Sequence, residues 1–565
     1  MNRLPLLALG ALLVVLATRG LTQTSIVDTP HNLSSSGPGA VRALDEDRVC
    51  VFCHTPHGAR TEAPLWNRRD SAATYQPYDS PTLVARPGQP TGSSKLCLSC
   101  HDGTVALGDL VSQTTPIDFA GGSRMPAGRS LIGTDLRDDH PISFAYSDAL
   151  SGGSARLAAP HSWDPAIRLD AAGMLQCTTC HDPHDNQWGR FLVMHNAEAR
   201  LCRECHILPE FDNTPHALSN ATWNGVGTTP WPHTEFDNVA TNSCLNCHRS
   251  HHSPRGQHLL TGATDAATCL ACHDGSVARS NVQAALRKPH RHPVLETSAA
   301  HVPGEVLTGF ADHVTCSDCH SPHQMTTSKA EAPLVPGTMT GVSGVTIDGT
   351  PIAEAMFGYE VCLKCHAEDA SATFRSIERQ VRSNGVRRAF ASDSPSFHPV
   401  AFTGRNPDVP SLIAPLNEQS QIACTDCHGD DVTAPGSGAA APHGSQHEFL
   451  LRREYRTGSR VSESPTAYAL CYGCHDRSVV LSDRSFVGHR RHVVDERTPC
   501  SACHDAHGID GAAGNAVNNA RLINFDLSVV SPLPLTGELE YVSHGSGTGS
   551  CTLTCHGKDH NRQDY

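Results

Sequence analysis

Apolar residues are scattered along this chain of 565 residues, and the one sustained apolar stretch is residues 4–17, behind the basic start Met1-Asn2-Arg3. That run has the length of a secretory h-region and is short for a bilayer span. Polar residues 18–25 follow it, with cleavage expected near Gly20; an uncleaved anchor is the alternative, and a first cysteine at position 50 argues against a lipoprotein. Residues 1–25 therefore read as a signal peptide and the mature chain as exported, without a transmembrane span. Elsewhere the pattern gives short helices separated by stretches rich in Gly, Pro, Ser and Asp, which favour turns. It predicts a mostly irregular fold with short α-helices and little β-structure. Residues 111–137 and 336–351 read as excursions or short hairpins, and 371–390 as one longer helix with a basic face.

Composition makes such a fold hard to hold together by side-chain packing. Only 38% of residues are hydrophobic and 5% aromatic, with 46 Gly and 38 Pro. A chain of this length would struggle to build large ordinary cores from so little apolar material. Disorder would account for that, but disordered chains are not rich in cysteine, and this one has 24 Cys and 36 His. Disulfides, bound metal or a large covalent cofactor must organise it.

Spacing decides among these. The cysteines fall in twelve close pairs, each followed at once by histidine. The first six are Cys50/Cys53/His54, Cys97/Cys100/His101, Cys177/Cys180/His181, Cys202/Cys205/His206, Cys244/Cys247/His248 and Cys269/Cys272/His273. The rest are Cys316/Cys319/His320, Cys362/Cys365/His366, Cys424/Cys427/His428, Cys471/Cys474/His475, Cys500/Cys503/His504 and Cys551/Cys555/His556. Eleven read C-x-x-C-H and the last C-x-x-x-C-H. This is the attachment signal for haem c: two thiols bond the haem vinyl groups and the histidine supplies the proximal nitrogen to iron. Twelve successive chance histidines have a probability of ~10⁻¹⁴ on this composition. Zinc ribbons do not need a histidine at that place. Twelve covalent haems are expected, the twelfth on a widened spacing, and they would serve as the core; the haem-free chain should be largely unfolded.

The other histidines bear on what the irons do. Iron with histidine on both faces suits electron transfer, and an open sixth position suits catalysis. His57, His184, His251, His323 and His507 lie three residues past a motif histidine, where they cannot round their own macrocycle and are expected to reach a neighbour's iron. The ninth motif lacks this feature. His443, in Ala-Pro-His-Gly like the Thr-Pro-His-Gly of 55–58, is the substitute, with His447 as fallback. Upstream of each pair stand His140, His292 and His398 before Pro, His492 in a degenerate copy, and His31 and His216 in Pro-His-x-Leu-Ser. Proline stiffens the backbone that presents the ring. Six and six make twelve distal ligands. A repeat of Cys-His-Asp-x-[Ser/Thr]-Val at 100–105, 272–277 and 474–479 divides the chain into three four-haem units, 26–210, 211–385 and 386–565.

The paired layout opened by Cys50-Val-Phe-Cys-His-Thr-Pro-His-Gly58, with His140-Pro-Ile-Ser-Phe and Arg521-Leu-Ile-Asn-Phe-Asp526, resembles the doubled-CXXCH multihaem cytochromes of the c type. The resemblance implies a periplasmic, outer-membrane-associated or extracellular electron carrier of respiring bacteria, meeting redox protein partners, sometimes within a porin conduit. A multihaem reductase with one open iron, acting on nitrite, a sulfur oxyanion or a metal, is the alternative. No Lys replaces a motif histidine, as it does in some such enzymes. A formal net charge of −14, deepened by haem propionates, argues against nucleic acid as a partner.

Overall fold

A computed structural model describes residues 25–59, 65–153, 156–227, 231, 234–296, 314–367, 377–382, 385–431 and 441–565. The expected signal peptide lies outside them but for Ser25. The chain forms two compact units, one of Met1–Ile207 with Ser250–His252 and one of Leu208–Arg249 with Ser253–Tyr565.

Regular structure is short and clusters at the cysteine motifs. The three longest helices, α1 (Gly92–His101), α2 (Asp265–His273) and α3 (Gly358–His366), each end on a motif histidine. Two of their starts are capped: the Thr264 hydroxyl accepts from the Ala267 N–H, and the Glu360 carboxylate accepts from those of Met356 and Phe357 at 2.8 and 2.9 Å. Elsewhere the motif is a single turn. In Cys177–Cys180, Cys316–Asp318 and Cys424–Cys427 a residue between the two cysteines reaches back to the cap. Thr179 accepts from the Gln176 N–H, Asp318 from that of Thr315 and Asp426 from that of Ala423.

Hairpin structure appears within 336–351, where Gly344–Val345 pairs with Pro351–Ile352. Over 111–137 the chain makes only isolated bridges, Ala43 with Phe119 and Gln76 with Asp135. The long helix expected over 371–390 is not formed by its described residues. Arg379 is extended against Asp526 and donates to the carbonyls of Ser501, Asn524 and His504, and helix is confined to Val386–Ala389 behind Gly385 at φ +142°. Those inward hydrogen bonds compete with a solvated basic helix face and prevail.

At the C-terminus stands a sheet of four strands, β1 (Val530–Ser531), β2 (Glu540–Gly545), β3 (Thr548–Cys555) and β4 (Lys558–Asp564), with β3 in the middle of β2 and β4 and also paired to β1. Sequence reading did not anticipate it. The fold is otherwise mostly irregular and short-helical with little β-structure.

No large core forms among the described residues. Small clusters of three to seven buried residues take its place, and motif cysteines pack against most of them: Cys53 and Cys100 beside Phe52 and Leu107, Cys205 beside Trp163, Cys503, Cys551 and Cys555 beside Phe525 and Leu553. The apolar residues thus gather where the cysteines are. Polar staples fill in elsewhere; fully buried Arg68 donates to the carbonyls of Leu107 at 2.6 Å and Ala106 at 3.0 Å.

Candidate metal centres

Each of the eleven C-x-x-C-H segments is a helical turn, which is what gathers its three reactive groups. In the short ones the histidine N–H donates to the carbonyl of the first cysteine, as at His54 to Cys50 (2.8 Å) and His504 to Cys500 (2.9 Å). Residues i, i+3 and i+4 then share one face. None of the 24 cysteines is joined in a disulfide. Burial pushes several well up, Cys53 and Cys180 to about 12. Four thiol pairs are hydrogen-bonded to each other, Cys97 with Cys177, Cys269 with Cys316, Cys362 with Cys424 and Cys471 with Cys500. That bond holds one thiol of each pair up and the other down. Each links one motif to the next in the chain.

The histidines meet in twos. Among odd-numbered motifs, His54 faces His184, His181 faces His251 and His248 faces His323, with ring centres 6.0, 6.2 and 6.1 Å apart. His320 faces His443 at 6.0 Å, His428 faces His507 at 6.1 Å and His504 faces His489 at 6.3 Å. Among even-numbered ones, His101 faces His31 (6.2 Å), His206 faces His140 (6.3 Å), His273 faces His216 (6.2 Å), His366 faces His292 (6.2 Å) and His475 faces His398 (6.5 Å). A twelfth pair, His492 and His560, stands at 6.4 Å. Two imidazoles bound through Nε2 to one metal would lie about 6.2 Å apart, from about 2 Å of metal–nitrogen bond and about 1.1 Å from nitrogen to ring centre on each side. The spacing fits.

A simple rule orders ten of the eleven motif histidines, His504 opposite His489 being the exception. The second histidine of one odd motif faces the proximal histidine of the odd motif before it, and each upstream histidine faces the even motif of its own pair. Among the described residues the first unit holds four facing pairs and the second holds eight. Among the described residues no three metal-ligating side chains converge.

Tautomers are set by the backbone. Nδ1 of His181, His248, His428 and His504 donates to the carbonyls of Arg190, His258, Phe449 and Arg521, at 3.0, 2.8, 2.9 and 3.1 Å. Each of those acceptors opens a pair of residues with positive φ: Arg190-Phe191, His258-Leu259, Phe449-Leu450 and Arg521-Leu522. The strained turn aims a carbonyl at the ring and leaves Nε2 free toward its partner. Burial, reinforced by the facing ring, holds His140, His273 and His443 down to about 4, so these rings are neutral at pH 7, the ligating form.

Two expected positions differ from what the structure presents. His57 is exposed and faces no histidine among the described residues. Its place in the count is taken by His489, in Gly488-His-Arg-Arg-His492, opposite His504. His556 is also exposed, and His560 stands opposite His492. His447 bonds Glu454 at 3.1 Å and takes no part. Sequence reading passed over His489 because it lies beside the better-matched His492. The repeated Arg-Phe-Leu, His-Leu-Leu, Phe-Leu-Leu and Arg-Leu-Ile segments were a legible signal for the aimed carbonyls.

A family model for the doubled CXXCH motif matches residues 171–207, 237–278 and 414–479, each spanning one odd motif and the even motif after it. In those three segments the chain is similar to the doubled-CXXCH family. No curated protein matches the chain. Doubled-CXXCH proteins are typical of electron-carrying multihaem c-type cytochromes rather than of catalytic oxidoreductases, and electron transfer through covalently held haem is the general function here. No helix among the described residues is long and apolar enough to cross a membrane.

Proposed function

We propose that this doubled-CXXCH cytochrome is a dodecahaem electron conduit or store in which both axial positions of every iron are filled by histidine. Support comes from one observation above all: each of the eleven C-x-x-C-H histidines has a second imidazole 6.0–6.5 Å away. When bound, haem iron supplies one-electron chemistry between its ferric and ferrous states. The protein's own part is to fix the rings. Carbonyls hold Nδ1–H of His181, His248, His428 and His504 so that Nε2 points inward, and burial keeps His140, His273 and His443 neutral. A substrate would find no free position at such an iron, which favours a carrier over a reductase. The reading extends to export to the periplasm or outer surface, redox protein partners with or without a porin, and three four-haem units over 26–210, 211–385 and 386–565.

The test is made on protein matured with its haems. Intact mass with a pyridine haemochrome assay is expected to return twelve haems, and low-temperature EPR is expected to return low-spin iron with no carbon monoxide binding. A high-spin, carbon monoxide-reactive haem in the unmodified protein would favour the reductase, and colourless protein would end the haem reading.

A further inference from the structure

We infer that the buried charge of Arg68 raises the reduction potential of the second haem, the one on Cys97, Cys100 and His101. This rests on the haem reading above. The residues just before Arg68 are tied to the first motif. Trp66 bridges to His54, the Asn67 N–H donates to the Cys53 carbonyl at 2.9 Å, and the Asn67 side-chain amide donates to that of Val51 at 2.6 Å. The Arg68 side chain crosses to the second motif. Its Nε donates to the hydroxyl of Ser99 and its Nη2 to the carbonyl of Ser99, both at 3.2 Å, and Ser99 stands between Cys97 and Cys100 on α1. Two further bonds go to the carbonyls of Leu107 and Ala106.

A charge is not what this register requires. Four other odd motifs carry the same ladder, with bridges of His181 to Leu192, His248 to Leu260, His428 to Leu451 and His504 to Ile523. In each, the next N–H donates to the carbonyl of the second cysteine at 2.9–3.0 Å. The residue that then follows, in the place of Arg68, is Met194, Gly262, Arg453 or Phe525. Met194 and Phe525 are buried and Arg453 is exposed, so of the five Arg68 alone is a buried cation. All its partners are neutral, and among the described residues no carboxylate forms an ion pair with it. Acids of the same segment are engaged elsewhere: Asp109 faces Arg69 at 3.8 Å, Asp70 faces Lys95 at 3.1 Å, and buried Asp102 accepts from the Tyr75 hydroxyl at 2.6 Å. A guanidinium keeps its proton in a protein, and burying one without a carboxylate is costly. Where Met or Phe serves the fold at the same register, that cost points to a role for the charge. Reduction adds an electron to the haem, and a fixed cation in a dry surrounding favours the reduced state. The field reaches both motifs: burial raises the Cys53 and Cys100 thiols, and the Arg68 charge opposes the rise at each.

Two substitutions in the matured full-length protein test this: Arg68→Met, which copies the residue of the third motif, and Arg68→Gln, which keeps hydrogen-bonding atoms without the charge. His31→Ala supplies a label. Removing the ring that faces His101 is expected to make the second haem high-spin, so that its titration can be followed by its own absorption. In that background both substitutions are expected to lower the second haem's reduced-to-oxidised ratio at a fixed potential about tenfold, a shift of about 59 mV downward for one electron. Asp102 is the same in all variants, so the difference isolates Arg68. An unshifted potential in either variant with twelve haems overturns the inference and leaves Arg68 a staple whose loss lowers only the melting temperature. Should neither variant assemble twelve haems, the second haem is compared, with Arg68 intact, to the sixth, labelled by His216→Ala, where Gly262 takes the place of Arg68. The second is expected to titrate higher, and an equal or lower potential overturns the inference. If His31→Ala opens no iron, the ligand reading fails and the unlabelled titration decides, one haem moving down in Arg68→Met or the profile staying put. Colourless protein defeats the haem reading instead.

Discussion

The Nδ1–H of His292 donates to the carbonyl of Pro442 at 2.7 Å, and Pro442 is the residue before His443. A ring that faces His366 is thus oriented by the backbone presenting the ring that faces His320. The arrangement recurs: His31 donates to the Pro183 carbonyl, before His184, at 3.0 Å, and His398 to that of Ala506, before His507. At His140 the backbone N–H takes this part, donating to Ser250, before His251, at 2.7 Å. Neighbouring centres are built as couples, each fixing the other's geometry.

Because the tether runs through backbone, removing one ring should open one iron and spare the other of the couple. His292→Ala is expected to make the haem at His366 high-spin and able to bind carbon monoxide, one of twelve, while the haem between His320 and His443 stays low-spin. EPR and carbon monoxide difference spectra on the matured protein check this. Loss of low-spin signal from two haems would show that the couple fails together.

The same couple depends on a glycine. His290–Arg291 pairs with Gly444–Ser445, and a Cβ at Gly444 would sit 1.9 Å from the Ala285 carbonyl oxygen. Gly444→Ala must push two backbones apart, at a cost of about 1–3 kcal/mol, the range for overpacked sites. Its melting temperature is expected to fall, with Gly511→Ala unchanged because nothing lies within 4 Å of the added carbon. Equal melting of the two variants would show that the approach is not needed.

Asp139 should set a potential. Its carboxylate, with a side chain 4% exposed, accepts from Nδ1 of His251 at 2.9 Å, where His181, His248, His292 and His428 meet backbone carbonyls. A carboxylate acceptor makes the imidazole a stronger donor and favours ferric iron. Asp139→Asn is expected to raise one haem's potential by about 59 mV, a tenfold shift in its reduced-to-oxidised ratio for one electron. Haem count and spin state should not change. Spectroelectrochemical titration reads the outcome, and an unshifted profile would make Asp139 structural only.

The ends of the ring sequence give a paired contrast. His489→Ala should open the iron at His504, whereas His57→Ala should leave every haem low-spin. Carbon monoxide binding by the His57 variant would show that the exposed ring serves an iron after all.

Much of this was legible in the residue order. The eleven C-x-x-C-H turns are local structure, because one helical turn brings i, i+3 and i+4 together whatever surrounds it. The shortage of apolar residues, the couples of motifs and the upstream Pro-flanked histidines could likewise be read directly. Which ring faces which motif could not. His184 meets His54 from 130 residues away along the chain, and no local pattern encodes that meeting; it depends on two-residue ladders, aimed carbonyls and packing clusters that exist only once the chain is folded. The ends show this best. His57 shares the Cys-His-x-x-His pattern of its counterparts but faces no histidine among the described residues. His556 has the expected place after a cysteine, yet one added residue turns a helix into a strand and leaves its ring exposed. Sequence alone determined the chemistry available at each motif; tertiary structure decided the partners, because a facing pair is a long-range relation between two backbones.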